Sequence, residues 1–271
     1  MDGKISVLSR LLIISLLFVL SGNAYSDRDY SPGDVIFVSL DQSESLVDFY
    51  YEGNLITKVL KDGQPYLLFG IPYYTKEGSN QFIFKGKRII KKMTFNISKK
   101  KYPIQRIEIK KFKVKTENEY KRIAKERSQI MQAKKDIYDK FPDYMFIIPA
   151  QGPTSGTYGT VRYYNGKKGN YHNGHDIAAA LGTPIYSPSS GIVMLTGNYY
   201  YNGKFIMVNH GNNLISMFLH LDDIAVKKDD VIKKGQFIGT IGTTGLSTGP
   251  HLHWSVLLNN SYIDPLKLIN N

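Results

Sequence analysis

Apolar residues between Asp34 and Lys113 come in short runs, many of them alternating with polar ones. Val35 to Val38, Leu46 to Tyr51, Leu55 to Leu60, Tyr66 to Phe69, Gln81 to Phe84, Met93 to Ile97 and Arg106 to Ile109 each suit a strand, whose side chains alternate between two faces. Turn-forming pairs such as Glu52-Gly53 and Asp62-Gly63 separate them. Short strands at this spacing predict a β-sandwich-like domain of immunoglobulin-like kind over residues 27–115. Nothing in it looks catalytic.

The period then changes. Tyr120, Ile123, Ala124, Ile130, Met131, Ile137 and Tyr138 recur at helical spacing. Thr116 with Glu119 three residues on makes a capping box, and Phe141-Pro142 is a stop signal. A helix from Thr116 to Lys140 is predicted, within a linking segment 116–142, its apolar stripe packed on a core. From residue 143 to 271 the strand pattern returns: Gly191 to Leu195, Phe205 to Asn209, Leu214 to Leu219, Phe237 to Ile241 and His253 to Leu258, between glycine-rich turns. The chain is therefore mainly all-β, with an N-terminal β-sandwich-like domain, a linking α-helix and a C-terminal antiparallel β-sheet domain. The histidines are expected on strand ends and loops.

Charge and composition refine this. Residues 85–115 hold thirteen Lys and Arg against Glu108 alone, a surplus equal to the net charge of +12 for the whole chain. A basic surface of this kind attracts anionic polymers of a cell envelope, or discourages edge pairing. Lys4 and Arg10 flank an apolar run from Leu11 to Leu20, followed by small residues, with Gly22 and Ala24, or Ala24 and Ser26, placed like a cleavage site. Residues 1–26 therefore read as a secretory leader, and the protein as periplasmic or extracellular. An uncleaved anchor is the alternative, although the run is shorter than the roughly 20 residues that a spanning helix needs. Export and the few aromatic residues in the basic stretch argue against nucleic acid as a partner. The chain has no cysteine, so any metal is held by nitrogen and oxygen.

All six histidines lie between His172 and His253. His172-Asn173-Gly174-His175-Asp176 brings imidazole and carboxylate together across a glycine. In His251-Leu252-His253 both imidazoles share one face of a strand. Each pattern alone is weak. Together, three ligands from two distant segments leave a tetrahedral ion one open position, the arrangement of a catalytic zinc. His and Asp donors suit Zn2+, which makes bound water a usable nucleophile near neutral pH. There is no H-E-x-x-H motif, so the proton acceptor must come from elsewhere.

His172-x-Gly174-x-Asp176, Gly182-Thr183-Pro184-Ile185-Tyr186, Gly191-x-Val193, His210-Gly211, His220-Leu221 and Gly245-Leu246-Ser247-Thr248-Gly249-Pro250-His251-Leu252-His253-Trp254 resemble the lysostaphin-type (LytM) zinc endopeptidases, over roughly residues 145–268. The resemblance implies zinc ligands at His172, Asp176 and His253, and catalytic histidines at His220 and His251. It implies peptidoglycan as substrate, cut at a peptide cross-link or bridge, with DD-endopeptidase activity expected. The N-terminal layout is similar, more loosely, to envelope members of Gram-negative bacteria. Two departures stand out. His175 occupies a usually aliphatic position, and Met217-Phe218-Leu219 replaces a run that usually holds tyrosine. His175 and His210 are read as bystanders, His210 as a turn residue.

Two other readings have sequence support. One is a non-catalytic activator of a separate cell-wall hydrolase on the same fold, but such proteins lack ligands that this chain retains. The other is a biotin- or lipoyl-type carrier, suggested by the texture of Val231 to Gly239; a carrier has no use for H-x-H. A monomer is expected. The N-terminal domain either anchors the enzyme to the anionic wall or, as the resemblance implies, folds across the groove and holds it latent.

Overall fold

Alternation in the N-terminal segment builds two sheets around one core. The computed structural model describes residues 19–108, 114–136, 138–140 and 142–269. Its first strands are β1 (Val19–Tyr30), β2 (Val35–Ser39), β3 (Tyr50–Tyr51), β4 (Asn54–Leu55), β5 (Thr57–Lys61), β6 (Gln64–Gly70), β7 (Gly78–Lys85), β8 (Ile89–Ile97) and β9 (Ile104–Ile107). One sheet runs β1-β8-β7-β3-β4 and the other β2-β6-β5. Between them lie Ile36, Phe49, Phe69, Phe82, Phe84 and Phe95, all buried, each contributing about 1.5–3 kcal/mol by leaving water. Residues 1–18, most of the predicted leader, lie outside the described residues, and residues 19–26 form the start of β1, parallel to β8.

Two predicted strands differ. Only Tyr50 and Tyr51 of the run from Leu46 are in a strand, because Asp41 and Glu44 form a capping box that starts the one-turn helix α1 (Gln42–Ser45) just before it. The strand expected at Arg106–Ile109 is β9, and it leaves the sandwich to pair in parallel with a strand of the C-terminal region; Ile109 is outside the described residues.

The helix α2 (Glu117–Ala133) starts at the predicted capping box of Thr116 and Glu119. It stops at Ala133 and not at Lys140. Beyond it the backbone is drawn onto residues 209–212, where the Tyr138 carbonyl accepts from Asn212 N–H at 2.9 Å and the Asp136 carbonyl from Asn209 Nδ2 at 3.3 Å. The buried stripe is narrower than predicted. Ala133 is buried and Ile123 and Ile130 are half-buried, whereas Tyr120, Ala124 and Met131 are exposed.

The C-terminal strands are β10 (Thr154–Gly156), β11 (Val161–Tyr164), β12 (Lys167–Tyr171), β13 (His175–Ala178), β14 (Pro184–Tyr186), β15 (Gly191–Tyr199), β16 (Gly203–Gly211), β17 (Leu214–Ile224), β18 (Val231–Ile232), β19 (Phe237–Ile241), β20 (His251–Leu258) and β21 (Ser261–Ile263). The main sheet follows β10-β13-β20-β17-β16-β15-β18 and is antiparallel, as predicted. A smaller sheet, β12-β11-β9, stands beside it. Ile206, Phe218, Leu221, Leu252, Trp254 and Val256 fill the core beneath the main sheet.

The β2-β6-β5 sheet serves both cores. Leu67 and Phe69 point into the N-terminal core, while Leu68 and Val59 point into the C-terminal one. Gly70 on β6 abuts the side chains of Ile263 and Leu258. Among the described residues, no helix is long and apolar enough to cross a membrane.

Candidate active site

Asp176 and His253 stand directly opposite each other on antiparallel neighbours β13 and β20, so their side chains meet on one face. Alternation on β20 puts His251, His253 and Ser255 on that face, and Leu252, Trp254 and Val256 in the core. His172 follows the end of β12 and closes the group. Gly174, which joins it to β13, has no left-handed backbone. Its role is close approach: a Cβ there would lie 2.5 Å from the Trp254 carbonyl oxygen and 2.9 Å from His253 Cε1.

Three donor atoms converge. Asp176 Oδ1 lies 2.9 Å from His172 Nε2 and 2.7 Å from His253 Nδ1, and the two nitrogens are 3.0 Å apart. The outer face of each ring is already engaged. His172 Nδ1 donates to the Thr157 carbonyl at 2.9 Å, and His253 Nε2 is hydrogen-bonded to Ser255 Oγ at 2.7 Å. With their protons on these outer nitrogens both rings would turn lone pairs toward Asp176 for a shared cation; with a proton on the inner nitrogen they donate to the carboxylate instead. Burial alone would raise the Asp176 carboxyl, but the hydrogen bonds and charge of the two imidazoles outweigh it and hold it well below the usual carboxylate range. Burial pushes His253 down, against the pull of Asp176. Two lone pairs and a carboxylate oxygen aimed at one another suit a shared cation, and His172, Asp176 and His253 form a group that could hold a metal ion.

His220 and His251 stand beside this group, their ring centroids 4.9 Å apart. His220 Nδ1 donates to the Thr244 carbonyl at 2.8 Å, and His251 Nδ1 donates to the Gly249 carbonyl at 2.8 Å. Each imidazole therefore keeps Nε2 for a ligand. His220 has φ +67°, a left-handed backbone costly for a residue with a Cβ and frequent where strain serves function. It sits where the register of β17 slips against β16, between Phe218 and Leu221; a bulge of this kind re-aims a side chain. Burial pushes His220 down to about 4, opposed by its bond to the Thr244 carbonyl.

The other two histidines lie elsewhere. His175 is buried, with Nε2 3.2 Å from Thr154 Oγ1. His210 is not in a turn. It lies within β16, buried, with Nδ1 donating to the Ser190 carbonyl at 3.0 Å and Nε2 accepting from Ser216 Oγ at 2.8 Å. The expectation of histidines on loops and strand ends holds for His172, which follows β12, and for His175 and His251, which open β13 and β20; His210 is one residue from the end of β16, while His220 and His253 lie inside β17 and β20.

These groups open into a cleft of about 790 Å³. One wall is the 246–250 turn and the other is made by β9 and β11. Gln105, Arg162 and Gly156 were not expected there from the sequence. Nor was a set of stacked tyrosines at the base of this wall. Tyr73 stacks on Tyr171 with centroids 3.6 Å apart, and Tyr171 immediately precedes His172.

The family described as Peptidase family M23 matches residues 170–265. The chain is 41% identical over 96 residues to the peptidoglycan DD-endopeptidase ShyA of Vibrio cholerae, a stretch covering 35% of this chain and 22% of that protein. It is 33% identical over 97 residues to the DD-carboxypeptidase/endopeptidase Mpg of Neisseria meningitidis, covering 36% and 22%. The matched stretch is thus about a fifth of the length of these relatives. A crystal structure of a protein assigned to peptidase M23 from Pseudomonas aeruginosa superposes with a TM-score of 0.72 at 31% identity, covering 88% of this chain and 94% of that one. The chain belongs to peptidase family M23.

Proposed function

We propose that this protein is an exported, zinc-dependent peptidoglycan endopeptidase that cuts a peptide cross-link. The observation that carries the reading is the convergence of His172 Nε2, Asp176 Oδ1 and His253 Nδ1 beside two imidazoles that line the same cleft with Nδ1 bonded to carbonyls. His172, Asp176 and His253 would hold the ion, which when bound acidifies water and polarises an amide carbonyl.

Hydrolysis places the oxygen of water on the carbonyl carbon and must deliver a proton to the departing amine nitrogen. His220 and His251 are the side chains suited to that proton traffic. Their Nδ1–H groups are pinned to carbonyls, so Nε2 alone can exchange a proton. Burial keeps His220 neutral at pH 7, ready to accept. The second ring, once protonated, donates to the developing oxyanion or to the amine. The DD-endopeptidase relatives support a stem-peptide cross-link as the bond, and the basic segment 85–115 offers a surface for anionic envelope polymers. The predicted leader supports a periplasmic or extracellular site of action, and a monomer suffices for it.

Purified His172→Ala is expected to lose zinc. His251→Ala is expected to keep zinc by metal analysis and to lose at least about a hundredfold in hydrolysis, the usual worth of a proton-transfer group. Full activity in His251→Ala would overturn the assignment of roles.

A further inference from the structure

Among the described residues, Arg162 is the only Lys or Arg whose side chain lines the cleft, and the chemistry above does not use it. It projects from β11, and its register partner on the parallel strand β9 is Gln105. Gln105 Oε1 accepts from Arg162 Nε at 3.2 Å. Arg162 Nη2 lies 3.8 Å from Asp176 Oδ2, at the far limit of an ion pair, while Asp176 Oδ1 is turned to the imidazoles. No other partner of the guanidinium is present among the described residues, and its side chain is 30% exposed.

A guanidinium offers five N–H donors in a rigid plane, a shape that takes a carboxylate through two parallel bonds. Here two of those donors are directed by the protein. The remainder face a cleft whose other charged lining residue, Asp176, is already committed. A half-covered cation of this kind interacts strongly with an incoming anion, because the walls exclude part of the screening water. We infer that Arg162, aimed by Gln105, binds a free carboxylate of the substrate peptide beside the bond to be cut. The inference rests on the peptidase reading of the same cleft. It also gives the N-terminal segment a part in specificity, since Gln105 belongs to β9. A peptide can present the carboxylate on a side chain or at its C-terminus.

The test uses the full chain loaded with zinc and three cross-linked muropeptides: the free acid, its side-chain amide and its C-terminal amide. Wild type is expected to lose about tenfold or more in kcat/KM on one of the amides, which identifies the source of the carboxylate. Arg162→Gln is expected to lose as much on the free acid and to treat acid and amides alike. Arg162→Lys, which keeps the charge without the fork, should recover part of the preference, and Gln105→Ala should weaken it. Fluorescence anisotropy of labelled free acid with metal-free protein supplies a second readout: Arg162→Gln should bind about tenfold more weakly. Equal cleavage of all three peptides by wild type would overturn the inference. So would an Arg162→Gln that binds zinc more weakly yet retains the preference for acid, since Arg162 would then only steady Asp176. If wild type cleaves none of them, the peptidase reading fails, and the anisotropy comparison still decides whether Arg162 holds a carboxylate.

Discussion

At the scale of single residues, the contacts that hold the proposed metal ligands are as selective as those side chains themselves. A Cβ on Gly156 would lie 2.4 Å from Asp176 Oδ2. Gly156→Ala must therefore push the carboxylate out of line with the two imidazoles. It is expected to lower zinc affinity about tenfold to a hundredfold, the range typical of disturbed outer contacts, while far-UV circular dichroism stays unchanged. Chelator competition measures this, and unchanged affinity would show that the carboxylate tolerates the shift. H-x-H encodes strand geometry directly and put His251 and His253 on one face, whereas the choice of His172, Asp176 and His253 as proposed ligands, and of His220 and His251 for proton transfer, came from the resemblance to the lysostaphin-type enzymes. Ser255 was legible too in principle, as the next same-face residue after His253. Gly156, and the Thr157 and Thr244 carbonyls, were not. Main-chain oxygens carry no residue-type signal, and Gly156 matters only through what lies opposite it.

At the scale of elements, alternation predicted most strands, and local chemistry explains the exceptions. The capping box of Asp41 and Glu44 won over the apolar run that follows it. Helix α2 ended early because the end of β16 and the turn after it offered the following carbonyls better partners. Parallel pairing of β9 with β11 could not be read at all, since Gln105 and Arg162 are 57 residues apart and no pattern links them. Nor did alternation reveal that β6 is apolar on both faces because it lies between two cores. This sheet argues against an N-terminal domain that comes away freely. Leu68 belongs to the N-terminal segment but is fully buried in the C-terminal core. Leu68→Ala is expected to cost about 2–5 kcal/mol, and the protein to unfold in a single thermal transition by calorimetry. Two separate transitions, with only the N-terminal one shifted, would show that the sheet does not couple the two cores.

At the scale of the whole molecule, chemistry and charge are kept apart. The basic residues of 85–108 lie on the sandwich and its exit, while among the described residues the cleft is lined by one Lys or Arg, Arg162. The segment between them contributes β9 as a wall of the cleft, so the N-terminal region both carries the basic surface and shapes the site. The stacking of Tyr73 on Tyr171 ties the same region to the chain just before His172. The central claim is that these parts make a peptidase. Its most direct test is incubation of the zinc-loaded protein with a defined cross-linked muropeptide dimer, followed by mass spectrometry. The expected result is two monomers that together have gained one water, at a single cross-link, with no cleavage after chelation of zinc. An intact dimer in the presence of stoichiometrically bound zinc would contradict it.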